Sequence, residues 1–143
     1  MRISVFGLGY VGTISAGCFA KEGHQVIGVD VHPTKVDMIN AGQTPIIEAE
    51  IGEIIADVVA QGRLTATTSS SEAVKKSDVS LVCVGTPSME NGNLDLAFVE
   101  RVCREIGKSL ASKDGYHVVV MRSTMLPGSM HEVVIPTLEK NAE

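Results

Sequence analysis

Six residues near the start of the chain limit its fold more than any others: Gly7-Leu8-Gly9-Tyr10-Val11-Gly12. They follow a short apolar run, Ile3 to Phe6, and open a small-residue stretch from Tyr10 to Lys21 that reads as a helix. A lone G-x-G-x-x-G is weak, because glycine is common, but between a strand and a helix each glycine has a task. Gly7 permits a tight turn, Gly9 lets the backbone approach a ligand with no Cβ in the way, and Gly12 lets the helix press on the sheet. Ala16 and Ala20 continue the small stripe at i+4 steps. The N-terminus of such a helix offers free N–H groups and a positive dipole end, which suit phosphates.

The second half of the signal is Asp30. Gln25 to Val29 reads as a strand, and Asp30 stands at its carboxyl end, 18 residues after Gly12. A carboxylate there accepts hydrogen bonds from both ribose hydroxyls and repels a 2′-phosphate. No arginine follows at Val31 or His32. The spacing therefore predicts a site for NAD rather than NADP, in the cofactor domain of a nicotinamide-dependent dehydrogenase. The bland alternative is a glycine turn with a surface aspartate beside it. Lys35, in the first turn of the next helix, reads equally as a solvated lysine or a cofactor contact.

The rest of the chain alternates strands and helices. Gly23 stops the first helix as a C′ glycine does, and Pro33 opens a second through about Asn40. Thr44 to Glu50 reads as a loop. Ile51, Ile54, Ile55, Val58 and Val59 recur at helical spacing until Gly62. Leu64 to Thr67 is a weak third strand, and Ser69-Ser70-Ser71 caps a short helix over Glu72 to Lys76. Val79 to Val84 is a buried strand ended by Gly85-Thr86-Pro87, and Asn91-Gly92 turns the chain toward a helix from about Asp95 to Leu110. Tyr116 to Met121 is a fifth strand, and Pro127 starts a last helix. This order predicts an α/β, Rossmann-like, doubly wound parallel sheet in three α/β/α layers, as one domain over 1–143. A sixth strand of the dinucleotide arrangement is missing, so the stretch reads as a piece of something longer.

Composition excludes other classes. The formal net charge is −5, with no Lys/Arg block, which disfavours a nucleic-acid binder. No stretch reaches the ~18 uninterrupted apolar residues of a membrane span. The apolar start resembles a signal peptide, but Gly7, Gly9 and Gly12 interrupt it and one basic residue precedes it. Cys18, Cys83 and Cys103 lack C-x-x-C spacing and each falls in an apolar stretch, as small buried hydrophobes do; a reducing cytoplasm follows. His24, His32, His117 and His131 show no metal-ligand spacing, so no metal site is assigned. Asp78 and Asp95 read as turn or cap residues.

Ligands on a parallel sheet bind beyond the carboxyl ends of its strands, where Gly85-Thr86-Pro87 and Arg122-Ser123-Thr124 both fall. Thr86 reads equally as a loop residue or a ligand. Ser123 and Thr124 read equally as caps of the last helix or as ligands.

Taken together, Met1 to Gly12, Gly28-Val-Asp30, Val84-Gly-Thr-Pro87, Asn91-Gly-Asn-Leu-Asp-Leu96 and Arg122-Ser-Thr-Met-Leu-Pro-Gly128 resemble the nucleotide-sugar 6-dehydrogenases. The likeness is nearest to the GDP-mannose members, with the UDP-glucose members as near relatives. It runs along essentially the whole chain and covers the first third of such an enzyme. Family members oxidise a sugar C6 hydroxyl to a carboxylate in two NAD-dependent steps, through a thiohemiacetal on a cysteine. The resemblance implies that Tyr10, Val11, Asp30, Lys35, Thr86 and Thr124 contact NAD, with Thr124 also holding the catalytic water. It implies a nucleotide-sugar substrate, GDP-mannose or UDP-glucose, and a homo-oligomer formed by the full-length enzyme. The family's Gly-Gly-Ser-Cys-Leu-Pro-Lys-Asp and Asn-Pro-Glu segments do not occur in this chain, and Ala49-Glu50 stands where the family often has Pro-Gly. The chain alone is thus expected to bind NAD without completing the oxidation. Two alternatives remain: another Rossmann dehydrogenase, of hydroxyacyl-CoA or phosphogluconate type, and a non-catalytic NAD-sensing module.

Overall fold

The computed structural model describes residues 1–46, 50–85, 90, 95–123, 128 and 130–142. Five parallel strands form one sheet in the order β3-β2-β1-β4-β5: β1 (Arg2–Phe6), β2 (Gln25–Val29), β3 (Leu64–Thr67), β4 (Val79–Val82) and β5 (Val118–Met121). The helices are α1 (Tyr10–Lys21), α2 (Pro33–Asn40), α3 (Ile51–Ala60), α4 (Ser70–Lys75), α5 (Ala97–Ala111) and α6 (Ile135–Ala142), the last entered through a wide π turn at Met130–Val134. Pro136 has no N–H for the helical ladder and its ring crowds the preceding turn, so a wide turn just before it is the expected accommodation.

Two separate apolar layers make the doubly wound arrangement. On one face Ile3, Val5, Val26 and Leu64 pack under Ala16, Ile39 and Ile55 of α1, α2 and α3. On the other, Phe6, Val29 and Val82 pack against Ala73, Val74 and Ile106 of α4 and α5. Alternate residues of one strand point to opposite faces, so the core is two thin sheets of aliphatic side chains. β5 is covered on one face only: Val119 and Met121 pack inward, while Val118 and Val120 remain 37% and 38% exposed.

Several boundaries differ from the sequence expectation. β4 leaves the ladder at Val82 rather than Val84, because Arg122 and Ser123 both donate their N–H to the Val82 carbonyl and close the pairing with β5. β5 starts at Val118, not Tyr116, which is 87% exposed. α4 begins at Ser70, with Ser69 Oγ accepting the Glu72 N–H at 3.2 Å as its cap. α5 begins at Ala97, preceded by Asp95, whose Oδ1 accepts the Ala97 N–H at 2.9 Å. Asp78 pairs with Arg2 across the exposed lower end of the sheet. Cys18 is exposed, contrary to the expectation of three buried cysteines; Cys103 is buried and Cys83 intermediate. Neighbouring Ala16, Gly17 and Ala20 carry the buried stripe of α1, and Cys18 falls off it. The Asn91-Gly92 turn and Pro127 lie outside the described residues.

Candidate functional site: the glycine turn and the slot beside it

The strand order reverses at β1, which has β2 on one side and β4 on the other. A crevice therefore opens beyond its carboxyl end, the place where parallel sheets bind ligands. The chain leaves β1 through Gly7 at φ +99°, a left-handed conformation that glycine adopts without a Cβ clash. Both sides hold this turn in place: the Gly7 N–H donates to Val29 O at 2.8 Å, and the Cys83 N–H donates to Phe6 O at 2.8 Å. A Cβ on Gly7 would stand 3.0 Å from the backbone of Cys83.

The other two glycines of the motif differ in what surrounds them. A Cβ on Gly12 would run into the Gly7 carbonyl, with its carbon at 2.8 Å, so the first turn of α1 rests directly on the glycine turn. A Cβ on Gly9 would meet nothing within 4 Å. Crowding thus demands glycine at 12, while at 9 the space is open. Gly9 is the N-cap of α1, with no side-chain cap and no acidic residue in the first turn. The leading N–H groups of a helix have no partner within it, and here no carboxylate competes for its positive end. Tyr10 and Val11, in that first turn, are 58% and 45% exposed.

Asp30 reaches this turn from β2. Its Oδ2 accepts the Leu8 N–H at 2.8 Å and its Oδ1 accepts the His32 N–H at 2.9 Å. A carboxylate has about four lone-pair sites, so each oxygen keeps capacity for a hydroxyl donor. Leu8 is fully buried beneath Gly28, where any Cβ would come within 2.8 Å of its Cδ2. Thr13 Oγ1 donates to Leu8 O at 3.0 Å and locks the turn to α1. Thr13 had no distinguishing signal in the sequence, and Gly28 stood out only through the family resemblance, because the partner of both is Leu8 in three dimensions.

The expected site residues divide accordingly. Gly7, Gly9 and Gly12 shape the turn that Asp30 holds through the Leu8 N–H, and Tyr10 and Val11 stand exposed in the first turn of α1, bordering a separate groove with Arg122. Lys35 is half-buried in the first turn of α2 and joins none of the salt bridges among the described residues. Thr86 and Thr124 lie outside the described residues, and their placement is not part of this geometry. Ser123 donates Oγ–H to Val84 O at 2.7 Å, so it ties β5 to the end of β4. Beside Asp30 a slot of about 220 Å³ lies between the sheet and α5, bordered by Val31, Phe98, Arg101 and Glu105. Sequence reasoning missed this wall.

No activated thiol borders the crevice. Burial pushes the Cys83 thiol up, and burial with Glu100 nearby pushes Cys103 up to about 11. Both thiols therefore stay protonated near neutral pH and are poor nucleophiles. Among the described residues no group of His, Cys, Asp and Glu side chains could hold a metal ion, and no helix is long and apolar enough to cross a membrane.

Comparison with known proteins agrees with this geometry. The model of the UDP-glucose/GDP-mannose dehydrogenase family, NAD binding domain, matches residues 1–143. GDP-mannose 6-dehydrogenase of Azotobacter vinelandii is 54% identical over 98% of this chain and 32% of its own length. Among solved structures, GDP-mannose dehydrogenase from Pseudomonas aeruginosa superposes with a TM-score of 0.98 at 53% identity, over 99% of this chain and 33% of the other. UDP-glucose dehydrogenase from Pyrobaculum islandicum gives 0.95 at 38% identity, with 99% and 33% covered. The chain thus spans about a third of the length of the relatives it matches. A glycine turn at the strand-order reversal, an open helix N-terminus and a carboxylate at the end of β2 are what such a match requires, and the chain belongs to the UDP-glucose/GDP-mannose dehydrogenase family as its NAD-binding domain.

Proposed function

We infer that this chain supplies the cofactor half of a nucleotide-sugar 6-dehydrogenase that oxidises GDP-mannose to GDP-mannuronate in two NAD-dependent steps. The observation that carries the cofactor half is the pairing of the open α1 N-terminus with Asp30 across the glycine turn. For the substrate, identity is 54% to GDP-mannose 6-dehydrogenase of Azotobacter vinelandii and 42% to UDP-glucose 6-dehydrogenase of Rhizobium meliloti.

The residues present fit the dinucleotide. Gly9 leaves the approach to the helix N-terminus free, and the N–H groups of Tyr10 and Val11 lie in the first turn, where a pyrophosphate gains hydrogen bonds and dipole stabilisation. Asp30 holds the ribose by its remaining acceptor capacity and repels a 2′-phosphate. Bound NAD supplies a hydride acceptor; the protein's contribution is to bind and orient it. Lys35, Thr86 and Thr124 are assigned to NAD by the family likeness, with Thr124 also assigned to hold the water of the second step. Covalent capture of the aldehyde needs an activated thiolate, and the buried, protonated Cys83 and Cys103 do not serve. That nucleophile belongs to the remaining two thirds of a full-length enzyme, which we assign to the cytoplasm as a homo-oligomer.

Calorimetric titration of this chain with NAD and NADP tests the cofactor assignment: NAD binds and NADP binds far more weakly. Equal affinity for the two overturns the role given to Asp30, and no binding of either overturns the assignment. For the substrate, the full-length protein reduces NAD with GDP-mannose, two equivalents per sugar. Faster turnover of UDP-glucose overturns that choice.

A further inference from the structure

β3 forms one border of the sheet and, among the described residues, pairs with β2 alone. The Val26 N–H donates to Arg63 O and the Asp30 N–H to Thr67 O, so these residues turn their backbone groups toward β2. Ala66 lies between, and its N–H and C=O point the other way, off the sheet. An outward row of this kind is a template for a further strand, and proteins commonly blunt it with charge, proline or a bulge. β3 has none of these. Its register with β2 is unbroken, no charged residue or proline occurs from Leu64 to Ser71, and Thr65, Thr67 and Thr68 in that stretch suit a strand.

Asn40 meets this border instead. Its Nδ2 donates to Ala66 O at 3.0 Å, and its Oδ1 accepts the Ala66 N–H at 2.8 Å. Only one orientation of the amide matches both partners. One residue of an antiparallel neighbour exchanges the same pair of bonds, so the side chain takes the place of a strand. Its position follows from α2. Ile39, fully buried in the same layer as Leu64 and Ala66, anchors the helix end, and Gly42 at φ +79° turns the chain directly afterwards. Asn40 itself is exposed to solvent.

We propose that Asn40 closes the border of the sheet against a second copy of this chain, whose β3 would otherwise pair antiparallel with this one about a twofold axis. The antiparallel sense follows from the bonds that Asn40 replaces, and a twofold axis sets the same uncharged strand opposite itself. A bond pair made within one molecule loses no translational freedom, which gives Asn40 the advantage over a second copy. The closure lies on the sheet border and holds whether or not NAD binds.

Asn40→Ala removes both bonds at once. Light scattering of the full chain at rising concentration then shows a mass climbing to twice that of the parent or beyond. At low concentration the Ala66 amide exchanges faster by roughly threefold to tenfold, the net worth of one hydrogen bond. Thr65 is exposed on the same strand, and adding Thr65→Lys to Asn40→Ala brings two ammonium groups near each other across the twofold. The mass of that double variant returns to that of the parent. Asn40→Ala with the mass of the parent overturns the proposal. Association that Thr65→Lys leaves in place also overturns it, because it runs through another surface. Circular dichroism shows whether each variant is folded. If Asn40→Ala is not, Asn40→Ser, whose hydroxyl meets one Ala66 group and not both, is read by the same masses with the same two outcomes.

Discussion

Asp30 Oδ2 accepts the backbone N–H of Leu8 at 2.8 Å, so the carboxylate proposed to bind ribose also holds the glycine turn proposed for the pyrophosphate. Its other oxygen takes the His32 N–H at 2.9 Å. Asp30→Ala strands two backbone donors and costs about 1–3 kcal/mol of stability, together with NAD affinity. Asp30→Asn keeps an acceptor oxygen but loses the charge that repels a 2′-phosphate. Urea unfolding and NAD/NADP titrations of both variants separate the two roles. An Asp30→Asn chain that still binds NAD and rejects NADP as strongly as the parent removes the charge argument.

Gly9 and Gly12 are three residues apart, and their alanine variants should fail in opposite ways. At Gly12 a methyl group meets the Gly7 carbonyl, a backbone atom that cannot move without breaking the turn. Overpacking of this kind costs about 1–3 kcal/mol or more, so Gly12→Ala lowers the unfolding midpoint. At Gly9 the methyl enters open space. Gly9→Ala therefore unfolds close to the parent and loses NAD affinity. A Gly9→Ala chain with unchanged NAD affinity means that the pyrophosphate does not pass there.

These contrasts show where a sequence pattern carries a structure and where it cannot. The bounds of α1, β2, α2 and β3 agree with the pattern to the residue, because Gly23, Pro33 and Gly62 end or open elements by local backbone preferences. The ends of β4 and β5 do not, since Arg122 and Ser123 bonding to Val82 decides them across the sheet. The same division runs through the site. Gly7, Gly9, Gly12 and Asp30 announce themselves by spacing along one βαβ unit. Phe98, Arg101 and Glu105 come from a helix far along the chain, and nothing near them in sequence says that α5 packs beside Asp30. Ser4 is another such case: it lies within the run read as apolar, and its polar side chain is fully buried.

Gly107 offers a prediction against helix propensity. It sits inside α5, where alanine is the better helix former by about 1 kcal/mol. An alanine Cβ there would come within 2.9 Å of the Leu138 carbonyl oxygen and of Asn141 Cβ on α6. Gly107→Ala is thus expected to destabilise, by about 1–3 kcal/mol, since α6 must move away. Chemical denaturation gives the sign directly; a stabilised variant shows that α6 is not packed on α5 in solution.

A buried hydrogen-bond chain at the lower end of the sheet gives stability a pH dependence. Lys113 Nζ donates to Val74 O at 2.8 Å, to Ser77 O and to His117 Nδ1 at 3.0 Å. His117 Nε2 lies 2.8 Å from Ser80 Oγ, which lies 2.7 Å from Ser4 Oγ, with Ser77 Oγ 3.0 Å from Ser4 and donating to Ala73 O at 2.7 Å. All donors and acceptors match when His117 is neutral with its proton on Nε2. A second proton, on Nδ1, would point at the Lys113 ammonium. Burial, then the Lys113 charge, accordingly lowers the His117 pKa below 6.5, against smaller opposing pulls from the Ser77 backbone and then Asp78. The unfolded chain therefore takes up this proton more readily than the folded one. The contribution is fully present above pH 6.5 and is lost as pH falls from there through the folded pKa. Urea midpoints measured across this range decline toward acid for the parent chain. In His117→Gln the amide keeps a donor and an acceptor but does not titrate, so the decline is shallower by the share His117 carries. An equal decline in both assigns the acid sensitivity to other groups.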